Sequence, residues 1–432
     1  MRLANIVQGN VSAKKSLPTP FRASFVGNNV VNNRSPFSNS KFFGVLRQSL
    51  MAYAFNLFGI AAGTVIAYNI GVFKQFPWTI AIYPPILSAR GVIGGLFCGR
   101  LSTGLHLGTI QPSFFGNTKN FHLLFRAVVV LTLEASMLMG LVASLFISFY
   151  MKIALVEILN ILVVMIATMA LALAIISPLS MTVSFLSFKH GLDPDIILYP
   201  IESTVADVLI TLTYVGVVNA FTVGFVGQFM LAFTCFALAF CAVFFLLKSA
   251  RESEFLKTIK ESLLTITFVS FVVNVAGSTL GKISEVVEEK GEIYVVYPAL
   301  IDTIGDVGSV VGSTATTKLA LGTLKSSFSS IKSHSTEIFG AWTASIIMYC
   351  AYSVLALIIQ GVFNPSSLIG FTMLLLIANL MAASCIIIVS YAVAILTYQK
   401  GLDPDNFEIP VESSMADAIT SISLLAAIFL VG

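Results

Sequence analysis

The sequence predicts an all-α polytopic membrane protein whose eleven spans form two parallel five-helix repeats joined by one extra helix. Three observations carry this reading. The 432 residues are 57% hydrophobic and only 10% charged, with a mean hydropathy of +0.93, whereas soluble domains carry about 25% charged residues. Apolar stretches long enough to cross a bilayer, about 20 residues each, recur along the whole chain after residue 45. Two blocks of sequence each occur twice, at nearly the same offset.

Residues 1–44 open the chain as a polar, basic tail. No Asp or Glu precedes Glu134, while twelve Lys and Arg do. The tail lacks the continuous apolar core of a secretory signal, and its acid-free, Ser-rich composition superficially resembles a transit peptide. We read it as a disordered cytoplasmic tail held near anionic lipid. Spans then fall near 49–72, 79–106, 123–150, 157–187 and 200–222 in a first repeat, 45–222. A linking segment, 223–254, holds a sixth span near 227–247 and a basic cytoplasmic loop. The second repeat, 255–432, supplies spans near 262–281, 293–320, 337–362, 367–397 and 409–431. Gly and Pro interrupt several of them, as membrane helices tolerate.

Charge sets the orientation. With the tail inside, the external loops carry only Lys74, Lys152, Lys282 and Lys290, together with the acidic stretch Glu285 to Glu292. That is the bias of the positive-inside rule. It places the N-terminus in the cytoplasm and the C-terminus outside, in a plasma membrane. The five cysteines (Cys98, Cys235, Cys241, Cys350 and Cys385) lie in apolar runs with neither disulfide nor metal-ligand spacing. Four scattered histidines make no histidine-based metal site. No nucleophile–base pair or HExxH motif is present, so the chain reads as no enzyme. Lipid is the expected neighbour, and nucleic acid is not an expected partner.

The duplication fixes the symmetry. "GLDPDIILYPIESTVAD" (Gly191 to Asp207) returns as "GLDPDNFEIPVESSMAD" (Gly401 to Asp417), with ten of seventeen positions identical and every acid of the first copy kept. "YPPILSARGVIGGLFCGRLSTGLHLGT" (Tyr83 to Thr109) aligns with "YPALIDTIGDVGSVVGSTATTKLALGT" (Tyr297 to Thr323) at an offset of 214, against 210 for the acidic block. Five spans are an odd number, so directly joined copies would be inverted. The sixth span has no counterpart and restores orientation. The repeats are therefore expected to be parallel about an axis along the membrane normal, one chain forming a pseudo-dimer.

The acids suggest the chemistry. Asp193-Pro194 and Pro200 disfavour helix before the fifth span, so its start is expected near Pro200. Asp193, Asp195, Asp403 and Asp405 then fall in connections, as turn residues or a weak entrance funnel. Glu202 sits one turn into the helix, and Asp207 roughly 10 Å deep at 1.5 Å per residue. Ser203 and Asp207 share a face, as do Ser413 and Asp417. An ionised carboxylate at that depth must face protein, water or a cation. Arg90 could serve one Asp, but the second repeat has Ile304 at that position, so a single Arg cannot serve both. Asp207 and Asp417 are accordingly read as a cation site whose removal leaves the fold intact. For Glu202 and Glu412 a cation role and stabilisation of a helix N-terminus both stay open. Asp302 and Asp306, where the first repeat has Ser88 and Val92, are either extra ligands or structural polar groups. Glu134 in the third span has no acidic counterpart in the second repeat and is a candidate proton or sodium site. Gly91 and Gly94 match Gly305 and Gly308, a spacing that permits close helix approach. Oxygen ligands without His or Cys favour Mg2+, Ca2+ or Mn2+. Mg2+, which keeps part of its water, suits two facing carboxylates best.

Asp-Pro, then Pro, then a small hydroxyl residue, then Asp at the start of a fifth span resembles the MgtE magnesium channel family. "GDVG" (Gly305 to Gly308) resembles that family's Gly-Asn-x-Gly stretch, with Asp306 in place of Asn. "GRLSTGLHLG" (Gly99 to Gly108) is similar to the animal solute carrier forty-one proteins, which carry two such units in one chain. The resemblance implies that Asp207 and Asp417 are the principal pore aspartates and that Ser203 and Ser413 line the same site. Tyr199 and Ile409 stand where bacterial members have a pore Asn, and Val92 replaces the Asn-like position of the first repeat. The bacterial cytoplasmic sensing domains find no counterpart, so their gate does not carry over. The expected function is transport of a divalent cation, Mg2+ first, through a central pathway between the repeats. The alternatives are a Na+/Mg2+ exchanger or proton-coupled exporter of the same fold and, from a different class, a non-transporting membrane receptor.

Overall fold

The computed structural model describes residues 39–151, 154–190, 194–287, 290–400 and 404–431, with the backbone alone at some helix positions, chiefly 194–204 and 404–411. The basic tail up to residue 38, Asp193 and Asp403 lie outside the described residues. Among the described residues eleven helical segments are long and apolar enough to cross a membrane. The first is assembled from α1 (Asn39–Tyr53), a 3-10 turn (Ala54–Asn56) and α2 (Leu57–Tyr68), followed by the short α3 (Ile70–Phe73). Then come α4 (Trp78–His106), α5 (Lys119–Met151), α6 (Leu155–Lys189) and α7 (Pro194–Thr222). The extra helix is α8 (Phe225–Ser249). The second set is α9 (Ser253–Val287), α10 (Gly291–Ala320), α11 (Ser335–Ile359), α12 (Pro365–Gln399) and α13 (Pro404–Val431).

Two boundaries differ from the sequence expectation. Residues 39–44, expected as tail, already belong to α1. Helices α7 and α13 begin at Pro194 and Pro404, a turn and a half before the expected starts. Proline suits the first helical position, where its missing N–H would be unbonded anyway, and Pro200 and Pro410 are then carried inside the helices, as membrane spans allow. Asp195 and Asp405 consequently stand in first turns, where acids complement the helix dipole, instead of in connections. Asp207 lies thirteen residues beyond Pro194, roughly 20 Å along the axis.

The repeats interlock through their first spans. Helix α2 packs on α10 and α1 on α11, whereas α9 packs on α4 and α5 of the other repeat. Each first span also touches the fifth span of its own repeat, α7 or α13. Two glycines make these crossings possible. A methyl group at Gly63 would lie 2.1 Å from the Val295 carbonyl oxygen, and one at Gly277 would lie 2.1 Å from that of Ala81. Gly63 and Gly277, like Ala81 and Val295, are separated by the 214 residues of the duplicated block. Backbone stands against backbone at both crossings, so no side chain can yield. Gly277→Ala is therefore expected to lower stability by about 1–3 kcal/mol, the usual cost of overpacking, seen as a lower melting temperature in detergent. Unchanged melting would show that α9 is not locked against α4.

Helix α8 lies on the outside of α5, α6 and α7. Few of its residues are buried, and Phe225, Phe229, Phe233, Phe236 and Phe240 are exposed, an apolar face suited to lipid. At one end of the bundle, buried Glu337 of α11 pairs with Lys41 of α1 at 2.6 Å and with Lys318 of α10 at 2.8 Å. His334, fully buried, places Nε2 3.0 Å from the Val311 carbonyl oxygen. These contacts tie the start of the first span to the second repeat.

Candidate functional site

Asp207 and Asp417 are buried, 6% and 8% exposed, on the two fifth spans. Their helices are held in matching ways. Thr211 donates its hydroxyl proton to the Asp207 carbonyl at 2.6 Å, and Ser421 donates to the Asp417 carbonyl at 2.7 Å. With those protons committed, both hydroxyl oxygens are left as acceptors. Tyr83 of α4 meets Thr211 at 2.9 Å, and Tyr297 of α10 meets Ser421 at 2.7 Å. Each fifth span is thus pinned beside its Asp to the second span of its own repeat. The Tyr residues head the duplicated block, 214 apart, and the hydroxyls are 210 apart, as their parent segments are.

The carboxylates themselves have unlike partners. Arg90 of α4 pairs with Asp207, both side chains nearly closed to solvent. Ser88, about half a turn away on the same helix, donates to Asp417 Oδ2 at 2.5 Å, a contact that crosses from one repeat to the other. The counterparts of Ser88 and Arg90 in α10 are Asp302 and Ile304. Asp302 lies within electrostatic range of Asp207, Asp306, Asp417 and Arg90, and Asp417 also lies within range of Arg90. Asp306 accepts from Asn56 Nδ2 at 2.8 Å, and the same amide reaches Thr303 Oγ1 at 3.1 Å.

Glu412 is buried and accepts from Ser390 of α12 at 3.3 Å. Gly308 makes room for it, since a methyl group there would sit 2.1 Å from Glu412 Oε1. Ser413 is exposed, whereas its neighbour Ser414 is buried. The side chains of Glu202 and Ser203 lie outside the described residues. Glu134 is half-buried, with its Oε2 enclosed and without a hydrogen-bond partner. Among the described residues no group of three or more His, Cys, Asp and Glu side chains is placed to hold a metal ion. Asp207, Asp417, Asp306 and Glu412 are instead each engaged by a protein group.

Sequence reasoning passed over Ser88, Asn56 and the Tyr–hydroxyl pairs. Tyr83 and Tyr297 left a trace, because they open both copies of a repeated block. Asn56 left none, because its counterpart is Ser270 and only the fold brings it to Asp306.

The profile of the family MgtE, divalent cation transporter, matches residues 83–217 and 297–427. The two matched segments start at Tyr83 and Tyr297 and run through the second to fifth spans of each repeat. "Solute carrier family 41 member 3" of Mus musculus is 22% identical over 383 residues, covering 83% of this chain and 76% of its own length. No solved structure matches the chain.

Proposed function

The chain belongs to the MgtE family of divalent cation transporters, and from that premise we propose that it moves Mg2+ across the membrane between its two repeats. The observation that carries this reading is the pair of buried acids, Asp207 and Asp417, on equivalent helices, with Asp417 contacted by Ser88 of the opposite repeat. Deep carboxylates that recur by duplication are expensive unless a cation uses them. Asp302 and Asp306 add negative charge to the same region, and Glu412 and Ser414 line the fifth span above it; Glu202, Ser203 and Ser413 complete the proposed lining. All of these are oxygen ligands, which favours Mg2+ and admits Mn2+ or Co2+ over thiophilic ions. Mg2+ keeps several waters and uses one or two carboxylates, which Asp207 and Asp417 would supply. The charge bias of the loops supports an orientation with the N-terminus inside and the C-terminus outside, in what we take to be the plasma membrane.

Glu134 favours a second reading. Its enclosed, unbonded oxygen is a natural proton or sodium site, as a coupled carrier requires. Flux into proteoliposomes separates the readings. Mg2+ uptake driven by its own gradient is the expected result, with Mn2+ and Co2+ competing. Uptake only under an imposed sodium or proton gradient would favour the carrier. Absence of flux for Mg2+, Mn2+, Ca2+ and Co2+ alike would refute both.

A further inference from the structure

We infer that the Arg90 guanidinium is a tethered cation that occupies the Asp207 half of the pathway and must be displaced by the transported ion. The inference rests on the proposed pathway and deepens it by naming the group that sets its preference for divalent ions.

Arg90 and Asp207 form an ion pair nearly closed to solvent, whereas the twin acid, Asp417, accepts the hydroxyl of Ser88. The second repeat has no such arginine, since Ile304 fills the equivalent position. The symmetric half-sites are therefore unequal, one acid paired directly with a guanidinium and the other with a hydroxyl. Asp302 stands within electrostatic range of both acids and of Arg90, so an ion between the acids would feel the guanidinium charge.

Competition follows from charge. A monovalent ion that displaced Arg90 would replace one positive charge by another, lose part of its hydration and gain nothing. A divalent ion brings twice the charge to the same carboxylate, and Coulomb attraction scales with that product. Space for part of the displaced side chain lies beside it. A cavity of about 30 Å3 between α4, α5 and α6 is bordered by Arg90 itself, Gly94, Thr132, Ser177 and Ser180. Thr132 gives its proton to the Val128 carbonyl at 2.7 Å and Ser180 to that of Ile176 at 3.1 Å. Their lone pairs are left to accept from a guanidinium.

Two variants test this in proteoliposomes by the Mg2+ concentration at half-maximal flux. If Arg90 holds Asp207 in about nine of ten ion-free molecules, Arg90→Gln lowers that concentration about ten-fold, and Na+ then inhibits at lower concentration than in the wild type. Thr132→Val with Ser180→Ala removes both acceptors from the cavity and raises it about five-fold, the worth of one hydrogen bond. A purely structural arginine would not move the two variants in opposite directions. Unchanged or raised half-saturation in Arg90→Gln, or a folded Arg90→Gln without flux, overturns the inference. Should Arg90→Gln not fold, an unchanged value in Thr132→Val/Ser180→Ala overturns it alone. Asp417→Asn in the same vesicles keeps the two levels apart: wild-type flux there defeats the pathway itself, whereas its loss with unresponsive Arg90 and cavity variants defeats only the inference.

Discussion

Asp417→Asn is expected to cut Mg2+ flux about 100-fold or more, since losing one partner of a desolvated charge costs about 3–5 kcal/mol and 1.4 kcal/mol is a factor of ten. The fold should survive the change. The contact made by Asp417 is a hydroxyl donated by Ser88, and an Asn side-chain oxygen accepts it equally well. No ion pair joins Asp417 to a buried cation among the described residues, so its neutralisation strands no charge. Melting in detergent within about 1 kcal/mol of wild type, together with collapsed flux, is the expected pair of results. Flux at the wild-type level would remove Asp417 from the pathway.

Asp207→Asn should behave differently, although the sequence makes the two acids equivalents. It breaks the Arg90–Asp207 ion pair from one side, and breaking a buried pair in that way costs about 3–5 kcal/mol of stability. Lower yield and a depressed melting temperature are expected before flux can be measured. Adding Arg90→Gln in the same chain should restore most of that stability, because a neutral amide pair of similar shape replaces the ion pair. Flux should stay low, because the half-site acid remains absent. A double-mutant cycle on melting reads the coupling directly. A single Asp207→Asn protein that melts like wild type would mean that the pair contributes nothing to the fold.

The sequence disclosed the spans and the duplication because apolar length and block identity are local properties. It did not disclose which repeat each first span packs against, since an apolar face does not specify its neighbour. The trace was there in Gly63 and Gly277, placed 214 apart, but only the opposing carbonyls of Val295 and Ala81 explain it. The starts of α7 and α13 were misplaced because two prolines competed for the first-turn position, and Pro194 and Pro404 took it. Arg90 was visible as a possible partner, yet sequence could not assign it to Asp207 over Asp417. Ser413 shares a helix face with Asp417 by spacing alone, but neighbouring helices decide burial, and they cover Ser414 instead.

Anomalous scattering from Mn2+ bound to the wild-type protein tests most directly whether one cation serves both repeats. The expected map holds a peak between α7 and α13, reaching Asp207 and Asp417 directly or through one coordinated water, and loses it in Asp417→Asn. A peak confined to other acids, such as Glu337 at the end of the bundle, with nothing between the two aspartates, would contradict a shared central site.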